Sequence, residues 1–342
     1  MENKRIINPE ISADDINSEL SLRPKKFTDY VGQQRIKETL SIAIKAAQQR
    51  SESLDHTLLY GPPGLGKTTL AHVISHEMKS SIKVTSGPAI EKAGDLVSIL
   101  TRLQKGDILF IDEIHRLNKI SEEVLYSAME EYRVSWVIEQ GLKARSVNLG
   151  IQPFTLIGAT TKFGMLSAPL RDRFGSVFRL NFYSDSEMAD ILYRSIKILK
   201  INSDNVGIKE IAIRSRKTPR IANRLLRRVR DFSEVQSNGN INANIVKKAL
   251  DQLEVDNLGL DKIDVELLES LVKKFDGGPV GLQTLAASIS EDPNTVEDVI
   301  EPFLLNLGFI SRTNRGRVAT KLAYKHLGID IRDEPAQGTL LN

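Results

Sequence analysis

The chain reads as an α/β protein with a parallel sheet covered on both faces, followed by a small helical domain and a winged-helix domain. Three observations predict this. Between Leu22 and Tyr183, short apolar runs alternate with helical stretches, the rhythm of βαβ units. After Tyr183 the strand-like runs stop and apolar residues recur at helical spacing. Near the C-terminus two helical stretches precede two short strand-like runs around Thr313-Asn-Arg-Gly316. At 342 residues the chain suits several domains of roughly 100–150 residues each. The expected division is an N-terminal arm over 1–20, an α/β domain over 21–183, a helical domain over 184–254 and a winged-helix domain over 255–342.

The expected strands are Thr57–Tyr60, Ser81–Val84, Ile108–Ile111, Phe154–Gly158 and Val177–Leu180. Their apolar residues run on without alternation, as in strands buried on both faces. Val134–Ile138 and Arg145–Leu149 flank Gly141 and predict an inserted hairpin. Ser184-x-x-Glu187 is a capping box for a helix bearing Met188, Ile191, Leu192 and Leu199. Thr218-Pro219 opens another, with Ile221, Leu225 and Val229 on one face. Asp256–Asp264 reads as a linker, and Leu268, Leu271, Val272 and Phe275 as a helical face stopped by Gly277-Gly278-Pro279. A short helix over Leu282–Ile289 and a second one capped by Thr295 make a helix-turn-helix, with Pro302 expected to kink or divide the second. Phe309–Arg312 and Arg317–Thr320 form the wing.

Composition narrows the classes. Apolar residues at 41% and charged ones at 27% support real cores and exclude general disorder. Lys and Arg exceed Asp and Glu by 47 − 44 = 3, so any basic surface is local. The absence of cysteine removes disulfides, thiolate metal sites and zinc fingers, and fits a reducing cytosol. No run of apolar residues is long enough for a membrane span, and Met1–Leu20 is polar where a signal peptide needs an apolar centre. A soluble, cytoplasmic protein without a membrane role is expected.

Gly61-Pro-Pro-Gly64-Leu-Gly66-Lys67-Thr68 is a complete P-loop between a strand and a helix. Its glycines let backbone N–H groups wrap phosphates, Lys67 reaches the β and γ phosphates, and Thr68 is placed to ligate Mg²⁺. Ile108–Ile111 delivers Asp112 and Glu113 at a strand's C-terminal end, where parallel sheets bind ligands. Asp112 suits a magnesium ligand and Glu113 a general base for an attacking water. Asn118-Lys119-Ile-Ser121 lacks the aspartate of a guanine-reading motif, which favours ATP. Thr160 and Thr161 end the next strand; one of them suits a phosphate or water sensor, and the alternative is that both cap the strand end. Arg171 and Arg173 are either ion-pair donors or face a neighbouring subunit's nucleotide. Arg220 sits in the first turn of a helix and is a candidate second sensor. Arg312 and Arg317 flank the wing turn and either contact DNA phosphates or keep a hairpin edge positive.

Together these residues resemble the AAA+ ATPases and, within them, the RuvB family of bacterial Holliday-junction branch-migration motors. The likeness runs from about Leu22 to Gly328. It includes Leu22-Arg-Pro, Asp29-Tyr-Val-Gly-Gln33, the P-loop through Thr69, Gly106-Asp-Ile-Leu-Phe-Ile-Asp-Glu-Ile-His-Arg116, Phe154-Thr-Leu-Ile-Gly-Ala-Thr-Thr161 and Pro169-Leu-Arg-Asp-Arg-Phe174. Thr218-Pro-Arg220, Gly277-Gly-Pro-Val-Gly-Leu282 and Arg312-Thr-Asn-Arg-Gly-Arg317 complete it. The departures are Trp136, Glu139 and Leu142 in the hairpin and Lys162 after the threonines.

The resemblance implies an ATP hydrolase that forms a homohexameric ring on duplex DNA at Holliday junctions and drives branch migration in recombination and repair. Its implied cofactors are ATP and Mg²⁺. Its implied partners are the junction-binding RuvA tetramer, docked through the 133–149 hairpin, and the resolvase RuvC. It places Leu22, Arg23, Gly64, Lys67, Thr68, Thr69, Glu130, Glu131, Tyr132 and Tyr183 around the nucleotide. Arg173 matches the arginine finger, Arg220 the second sensor, and Arg312 and Arg317 the DNA contacts. Two other readings compete: a different AAA+ machine such as a clamp loader or unfoldase, and a nucleotide-gated DNA-binding regulator with little turnover. A DNA-binding head disfavours an unfoldase, and Glu113 beside Asp112 disfavours the regulator.

Overall fold

Strands that are apolar on both faces need cover on both sides, and the first of two units meets that need with helices. The computed structural model describes residues 21–137 and 146–330. The arm expected over 1–20 and hairpin positions Glu139, Gly141 and Leu142 lie outside them. Contacts divide the described chain into one unit of residues 21–199 with Thr218–Arg220, and another of residues 200–217 with 221–330.

In the first unit, β1 (Thr57–Tyr60), β2 (Ile82–Ser86), β3 (Ile108–Asp112), β6 (Thr155–Thr160) and β7 (Ser176–Arg179) form a parallel sheet in the order β2-β3-β6-β1-β7. The three central strands β3, β6 and β1 are almost wholly buried. The two edge strands depart from the expected double burial: Val84 and Val177 are exposed, because an edge strand has a neighbour on one side only. Helix Lys67–Met78 packs on β3 and β6 and receives helix Gln34–Arg50 on its outer side. A cluster including Leu96, Leu100, Leu125, Met129 and Phe154 fills out the core. β4 (Arg133–Val137) and β5 (Ser146–Gly150) pair antiparallel, the predicted hairpin, with Trp136 opposite Val147. The Ser184–Glu187 capping box forms in both directions, at 2.8 and 3.2 Å, and starts helix Asp185–Leu199.

The second unit carries helices Asn205–Ile213 and Ala243–Gln252, packed together, and most of helix Pro219–Gln236. The stretch read as a linker is folded: Asp261 and Asp264 make a reciprocal capping box, and a helix begins at Lys262. Asp264 is fully buried and accepts from Arg216 Nη1 at 3.0 Å, while the Arg216 guanidinium lies 4.5 Å from the centre of the Phe303 ring. Gly259, at φ +87, passes so close to the Arg214 carbonyl that a Cβ would stand 2.5 Å from its oxygen. The second helix of the helix-turn-helix starts earlier than expected. Pro293 occupies its first turn and Asp292, not Thr295, is the cap. Pro302 divides that helix as expected, since a wide π turn over Val296–Ile300 precedes Glu301–Asn306. The wing strands Ile310–Thr313 and Gly316–Ala319 pair antiparallel over a cluster with Leu268, Val280, Phe303 and Phe309. Among the described residues no helix is long and apolar enough to cross a membrane.

Removing one partner of a buried ion pair strands the other charge. Arg216→Ala should therefore lower the stability of the second unit by about 3 kcal/mol. Denaturant unfolding would show this as an earlier transition, and Arg216→Ala with Asp264→Ala together should cost less than their sum.

Candidate functional site

The site grows from three adjacent strand ends. β6 lies between β1 and β3, so the loop after β1, the carboxylates after β3 and the threonines after β6 converge at the C-terminal edge of the sheet. Gly66, at φ +95, is the N-cap of helix Lys67–Met78 and turns the loop into it. The helix start presents its first-turn N–H groups to the loop, the usual anion-favouring arrangement.

Lys67 is buried, and its Nζ donates to the carbonyls of Gly61 at 2.8 Å and Pro62 at 3.0 Å. Burial lowers its pKa to about 8, with Arg220 acting in the same direction and Asp112 and Glu113 opposing. Thr68 Oγ1 donates to Asp112 Oδ2 at 3.2 Å, and the Glu113 backbone N–H donates to Asp112 Oδ1 at 3.0 Å. Glu113 itself adopts φ +47, a conformation rare for a side-chain-bearing residue. Burial and the neighbouring Asp112 push its carboxyl pKa up, against Lys67 and Thr161.

The register of β6 separates the two threonines. Thr161 Oγ1 donates to Glu113 Oε2 at 3.2 Å, whereas Thr160 is fully buried and meets His115 Nδ1 at 2.8 Å. His115 also lies 3.2 Å from Glu113 Oε2. Thr218 and Arg220 border the P-loop: a Cβ on Gly64 would stand 3.6 and 3.5 Å from their Cβ atoms. Tyr183 OH donates to the Leu65 carbonyl at 3.1 Å and lies 3.2 Å from Tyr30 OH. Burial pushes the Tyr183 phenol up to about 12. Tyr30 has no sequence signal as a site residue; only the fold brings it under the loop.

The other predicted residues stand as follows. Thr69 follows Thr68 in the first turn of helix Lys67–Met78. Leu22 is buried, with its carbonyl accepting from Arg194 Nη1 at 2.5 Å, and Arg23 lies close enough to His72 of the P-loop helix to lower its pKa, after burial. Arg173 is engaged away from Lys67: Nη2 pairs with Glu130 at 3.0 Å, Nη1 donates to the Pro169 carbonyl, and the guanidinium covers the Tyr126 ring. Glu131 is exposed, and Tyr132 packs against the core beside Phe154. Arg312 and Arg317 belong to the second unit, where both bond to Glu301.

Three family models match in succession: the Holliday junction DNA helicase RuvB P-loop domain over residues 22–180, the RuvB AAA lid domain over 183–256 and the RuvB C-terminal winged helix domain over 257–328. The Holliday junction branch migration complex subunit RuvB of Dehalococcoides mccartyi is 56% identical over 333 residues, 97% of this chain and 95% of that protein. The chain belongs to the RuvB family. Its RuvB relative from Chloroflexus aggregans is 54% identical across 99% of this chain and all of its own length. The solved RuvB branch migration motor of Thermotoga maritima superposes with a TM-score of 0.83 at 48% identity, covering 91% of this chain and 100% of that one. RuvB is a P-loop AAA+ family, so the chain is a nucleotide-binding ATPase of that class.

A lysine must be charged to attract a phosphate, and one with a depressed pKa holds its proton only below that value. With Lys67 at about 8, ATP affinity should be flat below about pH 7 and fall by up to about tenfold per unit above pH 8. Calorimetric titration across pH 6.5–9.5 checks this, and a flat profile would remove Lys67 from the phosphate contact.

Proposed function

We propose that this chain is the motor subunit of Holliday-junction branch migration: a homohexameric, ATP-hydrolysing ring on duplex DNA in the cytoplasm, working with RuvA through the 133–149 hairpin and with RuvC. Supporting it above all is one hydrogen-bonded chain at the sheet's edge, Thr68–Asp112–Glu113–Thr161, in a member of the RuvB family. The domains would be an ATPase domain over 21–183, a lid over 184–254 and a DNA-binding head over 255–342.

In this reading the P-loop amides and Lys67 bind the β and γ phosphates of ATP. The Thr68 hydroxyl and Asp112 carboxylate are hard oxygen donors within reach of each other, which fits Mg²⁺. Those two residues would hold the ion, and the ion supplies charge neutralisation on the phosphates when bound. Glu113 takes the proton of the attacking water, and its raised pKa suits a base working nearer neutrality. Thr161 orients that carboxylate. Arg220 reads the nucleotide from beside Gly64, and Tyr183, Leu22 and Arg23 border it.

Arg173 has a different task. Its contacts with Glu130, Pro169 and Tyr126 hold it ready on the subunit's own surface, where it serves a neighbour's γ-phosphate as an arginine finger. Such a finger contributes on the order of 10³–10⁵ in rate. Arg312 and Arg317 supply the DNA contacts of the head.

An Arg173→Ala chain mixed with a Lys67→Ala chain should regain part of the ATPase activity that each lacks alone; absence of recovery at every ratio would refute the shared site. Purified protein with RuvA should dissociate a synthetic four-way DNA junction only with ATP, and Lys67→Ala should abolish it. Sustained ATPase without junction movement would redirect the reading to another AAA+ machine.

A further inference from the structure

The two wing arginines are not equivalent, and a third residue decides how they stand. Arg312 and Arg317 face each other across the wing strands. The backbone N–H and carbonyl of Arg317 are spent on Val280, at 2.8 and 3.0 Å. That makes the arginines a non-hydrogen-bonded pair, the closer of the two antiparallel spacings, where like charges repel. Glu301, at the head of helix Glu301–Asn306, is 1% exposed and lies against both. Its Oε2 accepts from Arg312 Nη2 at 2.6 Å and Arg317 Nη2 at 3.1 Å, and its Oε1 accepts from Arg317 Nε at 2.8 Å. Burial pushes the Glu301 carboxyl pKa up, and the hydrogen bonds from the two arginines outweigh it and hold the group ionised below its usual range. Glu297 adds a looser contact to Arg317 at 3.9 Å. The Arg312 side chain is 47% exposed and that of Arg317 only 16%.

We propose that Glu301 is a positioning residue for DNA binding by the wing. It fixes both guanidinium groups, so that Arg312 meets a backbone phosphate already ordered while Arg317 serves mainly as its brace. This rests on the reading of the head as a DNA-binding surface. Without the carboxylate both side chains must be ordered at the moment of binding, which weakens association. Charge alone predicts the opposite sign, because removing an anion near a phosphate-binding surface should tighten it.

The sign therefore decides. Full-length protein is titrated against a fluorescein-labelled duplex, with a non-hydrolysable ATP analogue, over a range of salt. Glu301→Gln should weaken binding on the order of tenfold. Arg312→Ala should weaken it too and flatten the salt dependence, and its cost should shrink in the Glu301→Gln background. Unchanged or tighter binding by Glu301→Gln, or strictly additive costs, would overturn the proposal, since a residue that only stabilises the fold gives no such coupling. Should Glu301→Gln melt before it can be titrated, Glu301→Asp keeps the charge and shortens the reach. Weaker binding then supports positioning, and wild-type binding overturns it. If Arg312→Ala and Arg317→Ala both leave affinity and salt dependence unchanged, the head is not the DNA surface, and the proposal falls with that reading.

Discussion

The parallel registry of β1, β6 and β3 is the constraint on which the site depends. Tyr60 lies opposite Thr160, and Ile111 opposite Gly158, so three loops leave the sheet at nearly one level. A slip of one residue in β6 would exchange the two faces of the strand. Thr160 would then lose its buried place beside His115, and Thr161 would leave Glu113. The apolar faces of β6, fully buried along its whole length, are what forbid that slip. Hydrophobic burial thus fixes a hydrogen bond between two polar side chains that it never touches.

The second unit relies on a different device. Asp264 and Glu301 are carboxylates with almost no exposed surface, and each is answered by arginine. Taking such charges out of water is costly, and pairing repays the cost only when the geometry is good. Their value lies in direction: a guanidinium bound to a carboxylate through two nitrogens has few orientations left. Arg317, bonded to Glu301 through Nε and Nη2, is held in this way in the wing.

What the sequence made legible follows the range of the interactions. Lys67, Thr68, Asp112 and Glu113 are fixed by local offsets from strands whose apolar runs are plain to read. The Ser184–Glu187 cap and the division at Pro302 are likewise local. Thr160 and Thr161 could not be separated, because only strand registry decides which hydroxyl turns inward. Tyr30 meets Tyr183 across 153 positions, and no pattern in the chain announces that meeting. Asp264 falls in the stretch that reads as linker, since acidic residues in such settings are ordinarily exposed. Thr295 has the right chemistry for a cap, yet Pro293, which needs no N–H partner, opens the helix behind Asp292.

The carbonyls of Gly61 and Pro62 give the Lys67 ammonium two acceptors inside its own loop. A phosphate drawing on that ammonium gains only the difference between itself and those two oxygens. The loop therefore competes with its own ligand. Under the proposed role of Lys67, nucleotide would be held less tightly than the bare charge would dictate.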